Sequence, residues 1–489
     1  MLRTLAASAT IGTDRTGGKT TPEKLLTEAA ALGLRARAGW RPRTVQARVL
    51  LCPPDPRPVA TTAAMGTLRR VLAEPDAALI EEWAELASAA GARVADAMVP
   101  AVLDWWSRQP RKSVAVFAVL GKRGEWLAGL NADWYKPVTT ADIPANADEI
   151  WNTGSGPERA ALLAAVRRHD AARGLALVES TWSADGADER RRFVDQLANG
   201  LSMSDEPFLE SALEDRSKQV RASAARLLSR LAESGFAQRM LERSLSLLGV
   251  KRGGELLARR AKVWVEPPLE FDSAWARDGI EENAPEKVGK RAWWLRQIVG
   301  STHPSALAAR LQLSPGDLLK GIRGQDYADD VLCGLNQSAA EARDAAWCEA
   351  LVTDDDATRV GPLSVHDRLP LWTPLSPETR ERLLGEVAAQ SALARTTRWA
   401  FLTLAQHAWS SDFSRRTMES LGGKAPVKAA DIFTAGAPLE VVSRHIHTSA
   451  CDLFEAAMVP LFGDGIPPVV RKLVDRVRLR ADMHKEFAS

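Results

Sequence analysis

Two tyrosines among 489 residues leave little room for phenol chemistry, so tyrosine-based catalysis starts from a weak position. The aromatic content lies instead in 16 tryptophans and 11 phenylalanines, large flat packing units of which only the indole carries a donor. Cysteine is scarce as well. Cys52, Cys333, Cys348 and Cys451 are far apart and form no C-x-x-C pair, which excludes a dense disulfide framework, gives no zinc signature and fits a reducing compartment. Net charge is nearly absent, with 64 basic against 62 acidic residues, so no global field steers the chain to nucleic acid or anionic lipid. Long apolar runs are missing too: the longest, Ser113 to Gly121, is less than half of the roughly 20 residues needed to cross a bilayer. Met1 to Thr13 offers only Leu2, Leu5 and Ile11 as large hydrophobes, too few for the core of a signal peptide. Together these absences predict a cytoplasmic protein without a membrane segment.

What is present is helical periodicity. The apolar residues Leu79, Ile80, Trp83, Leu86, Ala87 and Ala90 recur at spacings of three and four, one buried face of a helix over 77–90. Thr21-Pro22-Glu23, Ser314-Pro315 and Ser376-Pro377-Glu378 each place a capping oxygen before a proline at the first helical position, where its missing N–H costs nothing. The last of these opens a helix to about Ala392, and a second follows over Ala394–Trp409 after almost no connector, which predicts an antiparallel hairpin.

The segment from Asp205 to Leu231 reads as two short helices around an Asp turn. Asp215 is placed to cap the second, Val220, Leu228 and Leu231 to face a core, and Ala224-Ala225 to let neighbours approach, the pattern of a HEAT repeat unit. Pro157–His169, Asp170–Trp182 and Ala187–Gly200 read as further helices, and Leu439–Met458 as another. Between Lys251 and Pro285 the pattern changes. Val263-Trp264-Val265 alternates, Pro267-Pro268 forbids helix and Leu269-Glu270-Phe271 alternates again, which predicts an extended insertion or small hairpin. The predicted fold is therefore all-α, a HEAT-like α-solenoid with flanking helical regions. Its expected divisions are an N-terminal helical region over 1–135, the repeat block over 148–250, the insertion over 251–285 and a C-terminal helical region over 286–489.

Chemical motifs are weak. Gly12 to Thr20 lacks the first glycine and the preceding strand of a phosphate-binding loop, so it reads as loop. His445, His447 and Cys451 are the only cluster of soft ligands, but on a helix the two histidines point about 200° apart. Asp354-Asp355-Asp356 lacks the spaced ligands and glycine of a calcium loop, and no hydrolase or metallopeptidase signature occurs. No catalytic residue, cofactor or metal is predicted. Trp293-Trp294 with Arg291 and Arg296, and Trp105-Trp106 with Arg108, have the composition of interface anchors, though packing between repeats accounts for them as well; one Trp of each pair is expected near a surface or a neighbouring element because consecutive helical residues cannot share a face. Arg471, Lys472, Arg476, Arg478 and Arg480 make the C-terminal helix basic.

Several segments, in order along the chain, resemble a bacterial family of helical proteins, the domain of unknown function 5691. They are Ile11–Arg15, Leu120–Leu127 with Leu130–Trp134, the HEAT-like block, Trp275–Ile280, Lys290–Leu295 and Arg478–Met483. The resemblance implies an α-solenoid encoded near a MoxR-type AAA+ ATPase, a von Willebrand factor A protein and a SWIM zinc-finger protein, and it implies no reaction. The expected function is a noncatalytic protein-binding scaffold or adaptor, its partner an AAA+ ATPase or a von Willebrand factor A protein. Trp293, Trp294, Arg296 and Asp278 are its candidate partner-binding residues. The alternative is a solenoid that binds nucleic acid or processes DNA bases, which the balanced charge disfavours.

Overall fold

The computed structural model describes residues 51–109, 113–131, 134, 143, 146–251, 262–354, 368–389, 395–421, 438–462 and 467–488, and seven residues of a helix within 26–34. The chain divides into two compact units, Met1–Pro53 and Pro54–Ser489. In the first, the described residues of the 26–34 helix are exposed. The helix start expected at Thr21-Pro22 and the loop over Gly12–Thr20 lie outside the described residues.

Among its described residues the second unit is all-α apart from one hairpin and an isolated bridge between Val59 and Arg93, and they form two hydrophobic cores. Helices α1 (Thr62–Ala73), α2 (Ala77–Ala89), α3 (Val99–Arg108), α4 (Val114–Val119) and α5 (Gly121–Leu130) surround the smaller core. The period read over 77–90 is realised in α2, where Leu79, Ile80, Trp83, Ala84 and Ala87 are buried and Asp76 caps the N-terminus through the N–H groups of Ala78 and Leu79. Trp105 and Trp106 are both buried here, so of the two outcomes expected for the pair it is packing against a neighbouring element, not a surface position, that is found. The Trp106 indole donates to the carbonyl of Ser113, so the connection out of α3 folds back over the ring.

The larger core runs from Ala147 to Val477. It begins with α6 (Ala147–Thr153), α7 (Gly156–His169), α8 (Ala171–Thr181), α9 (Ala187–Gln196), α10 (Glu206–Ala212), α11 (Lys218–Leu228) and α12 (Gly235–Leu247). Packing follows chain order: α7 rests on α8 and α9, α9 on α11, and α11 on α10 and α12. This stacking of neighbours on neighbours is consistent with a helical solenoid. Val220, Ala224 and Leu228 face the core as expected, fully buried. Asp215 departs from its predicted role: the N-cap of α11 is Ser217, whose N–H donates to Asp215, while the Asp215 carboxylate spans the turn to Arg190.

That ion pair is one of a series. Arg159 meets Asp185 at 2.7 Å, Arg167 meets Asp205 at 2.7 Å, Arg190 meets Asp215 at 2.8 Å, and Arg239 and Arg243 meet Asp278 at 2.8 and 2.7 Å. In each case a helix supplies the guanidinium and the turn beyond a later helix supplies the carboxylate. A planar fork matched to a carboxylate fixes both distance and direction between successive helices, which apolar packing alone does not.

Strands β1 (Leu248–Lys251) and β2 (Lys262–Val265) pair antiparallel, Leu248 opposite Val265 and Lys251 opposite Lys262. After a short α13 (Ser273–Arg277), the helices resume with α14 (Lys290–Gly300), α15 (Pro304–Leu311), α16 (Pro315–Ile322), α17 (Ala328–Ala342) and α18 (Ala345–Thr353). The insertion does not interrupt the core, since Leu248, Val263 and Ile280 are buried in it beside Leu295. α14 and α17 approach closely because position 334 has no side chain: a Cβ on Gly334 would stand 2.8 Å from the Cβ of Val299 and 2.9 Å from the carbonyl oxygen of Arg296.

The remaining helices are α19 (Leu369–Trp372), α20 (Pro377–Ala389), α21 (Arg395–Leu402), α22 (Ser411–Leu421), α23 (Cys451–Phe462) and α24 (Pro468–Ala488). Both described Ser-Pro starts are realised, with Ser314 accepting from the N–H of Asp317 and Ser376 from that of Thr379. α20 and α21 pack together as predicted, but α21 ends at Leu402 rather than Trp409. The helix expected over Leu439–Met458 is broken. It stops after His445, where the N–H of Trp409 takes the His445 carbonyl, and restarts through a 3-10 turn at Thr448–Ala450 capped by His447.

α24 ties the two cores together. Val470, Leu473, Val474 and Val477 belong to the larger one, Met483 to the smaller, with Leu479 and Phe487 packed against it. Arg476 pairs with Asp76 at 2.6 Å and Arg480 with Glu82 at 2.7 Å; His484 lies 2.8 Å from Glu82, and Phe487 meets Trp83 edge-on at 5.5 Å. Among the described residues, no helix is long and apolar enough to cross a membrane.

Candidate functional site

Residues 266–300 fold back over α11 and α12 in a corner that contains all four predicted partner-binding residues. Its frame begins with Arg291, whose Nε and Nη2 donate to the carbonyls of Pro268 and Pro267 and so fasten the non-helical diproline segment to α14. Phe271, Trp275 and Trp294 then stack at centroid distances of 5.6 to 6.5 Å. The Trp294 indole donates to the carbonyl of Glu282 at 2.9 Å. Gln297 grips the adjacent peptide from both sides, Oε1 accepting from the N–H of Glu281 at 2.8 Å and Nε2 donating to its carbonyl at 3.0 Å.

Asp278 anchors the same segment from below. Its carboxylate is 2 % exposed and faces Arg239, Arg243 and Arg277, while Arg239 also reaches Glu210 and Arg277 reaches Glu214. Burial works against the Arg239 charge, but the hydrogen bonds and charges of Asp278 and Glu210 outweigh it and raise the pKa of this guanidinium. That of Arg277 is raised chiefly by its bond to Glu214. The chain can turn out of α13 here because residue 279 is glycine, at φ +83°, with 3.3 Å between the position of a Cβ and the Cβ of Ala225.

The product of this bracing is an open cleft of about 270 Å³ between the first turn and a half of α11 and the irregular segment 279–283. Lys218 and Arg221 line one side, Glu281, Glu282 and Asn283 the other, and Phe271, Ala276, Gly279, Ile280 and Ala222 the apolar surface between them. Lys218, Glu281 and Glu282 are exposed. Arg221 is partly tethered, its Nη1 donating to the carbonyl of Asp215 at 2.7 Å.

The four predicted residues are thus brought near one another without forming a single exposed patch. Trp294 is 5 % exposed and Asp278 2 %, so both support the corner from inside and do not stand on its surface. Trp293 is half-buried, its indole N–H without a hydrogen bond among the described residues. Arg296 is half-buried and pairs with Asp330 at 2.6 Å, joining α14 to α17. Of the cleft residues, Arg221 entered the sequence reading only as the partner of Val220 in the repeat pattern, and Lys218, Glu281 and Glu282 were not singled out. Their only signal is the pair of adjacent carboxylates directly after the Gly279-Ile280 turn, and nothing local links these to a helix some 60 positions earlier.

The other sequence motifs resolve into packing. His447 Nδ1 accepts from the N–H of Ser449 and lies 2.8 Å from its hydroxyl, an occupied capping position. Among the described residues, no group of three or more His, Cys, Asp or Glu side chains is placed to hold a metal ion. Asp354 pairs with Arg323 at 2.7 Å, and Asp355 and Asp356 lie outside the described residues. On the basic C-terminal helix, Arg476, Arg478 and Arg480 are engaged by Asp76 and Glu440, by Glu455 and by Glu82, leaving Arg471 and Lys472 exposed.

Neither a curated protein nor a solved structure matches the chain. A family profile does, over residues 3–487. Nearly the whole length is covered, the braced corner and the seam of α24 included, and the chain belongs to the family of unknown function DUF5691.

Proposed function

We propose that this protein is a noncatalytic, cytoplasmic adaptor built on HEAT-like repeats, which binds protein through the face that carries the cleft between α11 and segment 279–283. The observation that carries this reading is the bracing of that cleft. Arg291, Trp294, Gln297 and Asp278 commit their polar groups to holding one loop in place, and the loop presents charged side chains to solvent. A preformed surface loses less freedom when a partner arrives, and stacked helices expose a broad area for one. The family resemblance supplies the partner class, an AAA+ ATPase of the MoxR type or a von Willebrand factor A protein. The nucleic-acid alternative gains nothing from Arg476, Arg478 and Arg480, whose charges are already neutralised by intramolecular carboxylates.

The test is an affinity-tagged pull-down from the native host with and without ATP, read by mass spectrometry. Recovery of an ATPase or a von Willebrand factor A protein supports the adaptor reading. Absence of a stable protein partner under every nucleotide condition overturns it, and recovery of nuclease-sensitive material alone favours the nucleic-acid solenoid.

A further inference from the structure

The charge layout of the cleft identifies what kind of protein segment it takes. Resting on the adaptor reading, we infer that the cleft binds a short extended peptide segment in which an apolar residue is flanked by an acidic residue on one side and a basic residue on the other. Three features lead there. The walls carry opposite charge, Lys218 and Arg221 facing Glu281 and Glu282, and Lys218, Glu281 and Glu282 enter no ion pair with another described residue. Charges of opposite sign usually neutralise one another across a protein surface; held apart on two braced walls, they are matched by a ligand that carries both signs with the same separation.

The surface between the walls is apolar, formed by Phe271, Ile280 and Ala222, which selects an apolar side chain at the middle of the segment. The size and the exposure of the rim complete the argument. At about 270 Å³ the cleft is smaller than the roughly 300–1,000 Å³ that encloses a drug-sized ligand, and its charged residues stand at the solvent edge. Such a site accommodates a few side chains of a chain that continues past both ends. A free anion is disfavoured by the two carboxylates, and a polycation by Lys218 and Arg221.

The walls do not move independently of the fold. The peptide of Glu281 is clamped by Gln297 and the carbonyl of Glu282 by Trp294, while the opposite wall is the first turn of α11, fixed by the Asp215 turn. The backbone positions that carry the two charge groups are therefore fixed by the fold, which limits the charge separation a ligand has to match.

The experiment uses the full-length protein and fluorescein-labelled nonapeptides. A central leucine is flanked by two acidic residues on one side and two basic residues on the other, synthesised in both chain orders, with a version carrying glutamine at every charged position. Fluorescence anisotropy is expected to show binding of one chain order, with the glutamine peptide weaker by about tenfold or more, since an exposed pair contributes up to about fivefold and four are removed. Lys218→Glu and Glu282→Lys are each expected to weaken binding by about tenfold, and the two together, which leave one charge of each sign on either wall, to remove the preference between the chain orders. Ala222→Trp, a substitution at an exposed position, fills the cleft without altering charge and is expected to abolish binding; its circular dichroism and melting temperature check that it folds.

Binding of no peptide, equal binding of the glutamine peptide, or indifference to Ala222→Trp overturns the inference. The pull-down with Ala222→Trp separates the two levels of the reading. If the variant retains the partners of the wild type, the cleft is not their site and the adaptor reading stands; if the wild type recovers no partner, the adaptor reading itself fails.

Discussion

Arg167 and Asp205, 38 residues apart in sequence, meet through two parallel hydrogen bonds of 2.7 and 2.9 Å, with side-chain exposures of 0 % and 2 %. The remaining guanidinium hydrogens go to the carbonyls of Ala171, Leu197, Asn199 and Gly200. Every donor of this buried cation is therefore satisfied, and one side chain organises the end of α7, the end of α9 and the turn before α10. Replacing Arg167 by Leu leaves Asp205 buried without a counter-charge and takes one donor away from each of four carbonyls. The expected loss is about 3–5 kcal/mol, while Arg167→Leu combined with Asp205→Leu recovers part of it. Urea denaturation of the three proteins checks the pair; an unchanged midpoint in Arg167→Leu would show that the contact does not hold the fold.

At the contact between α14 and α17, Gly334→Ala brings opposing effects of known size. Alanine gains about 1 kcal/mol of helix propensity over glycine. The new Cβ, however, meets a backbone carbonyl and a branched side chain at under 3 Å, and neither can swing aside. Overpacking of this kind costs about 1–3 kcal/mol, so a net loss is expected in thermal unfolding, whereas a rise in melting temperature would contradict the close approach.

His445 makes stability depend on pH. Burial, then the charges of Arg480, His407 and Arg444, lower its pKa from the usual 6.5 to about 4, against the pull of Glu82. The unfolded chain thus binds a proton that the folded chain refuses. The stabilisation is fully present above pH 6.5, declines as the pH falls, and is lost by about pH 4. His303 and His407 are lowered in the same direction, again by burial first. The slope of urea stability against pH between 4 and 6.5 should be shallower in His445→Gln than in the wild type, and identical slopes would refute the assignment.

Among the cysteines, Cys348 should stand out in alkylation. It is fully buried, its thiol faces the carbonyl of Ala339, and burial followed by the charge of Asp344 pushes its pKa up to about 12. Iodoacetamide at pH 8 is expected to modify Cys348 only after denaturation, and to reach Cys52, which is not buried, in the native protein. Peptide mapping of a time course decides this; early native labelling at Cys348 would place it elsewhere.

Much of the helical order was readable because it rests on local rules. The period in Leu79–Ala87, the serine-proline starts at 314 and 376 and the alternation at Val263–Val265 all arise within a few residues, and the structure realises each. What escaped involved distant partners. Asp215 looked like a cap because its neighbours could not show that Arg190, on another helix, would take the carboxylate. For Trp105 and Trp106 the sequence left a surface and a neighbouring element both open, because it could not show that α3 is covered on two sides, by its own core and by the returning chain at Ser113. The basic stretch from Arg471 to Arg480 looked like a free face because Asp76 and Glu82, its counter-charges, are some 400 positions away. The candidate site followed the same pattern: the bracing residues lie in segments that drew attention for their tryptophans, and the charges they position became visible only when α11 was placed opposite.

The long reach of α24 also bears on how the protein is made. Synthesis runs from the N-terminus, so α1 to α5 leave the ribosome with one wall of their core still missing. Met483, Leu479 and Phe487, which supply that wall, are translated about 350 residues after α5. Until α24 emerges, this apolar surface stays open, a period in which a nascent chain is most exposed to aggregation and to chaperones. A chain cut short before α24 would therefore leave its first folded region unfinished.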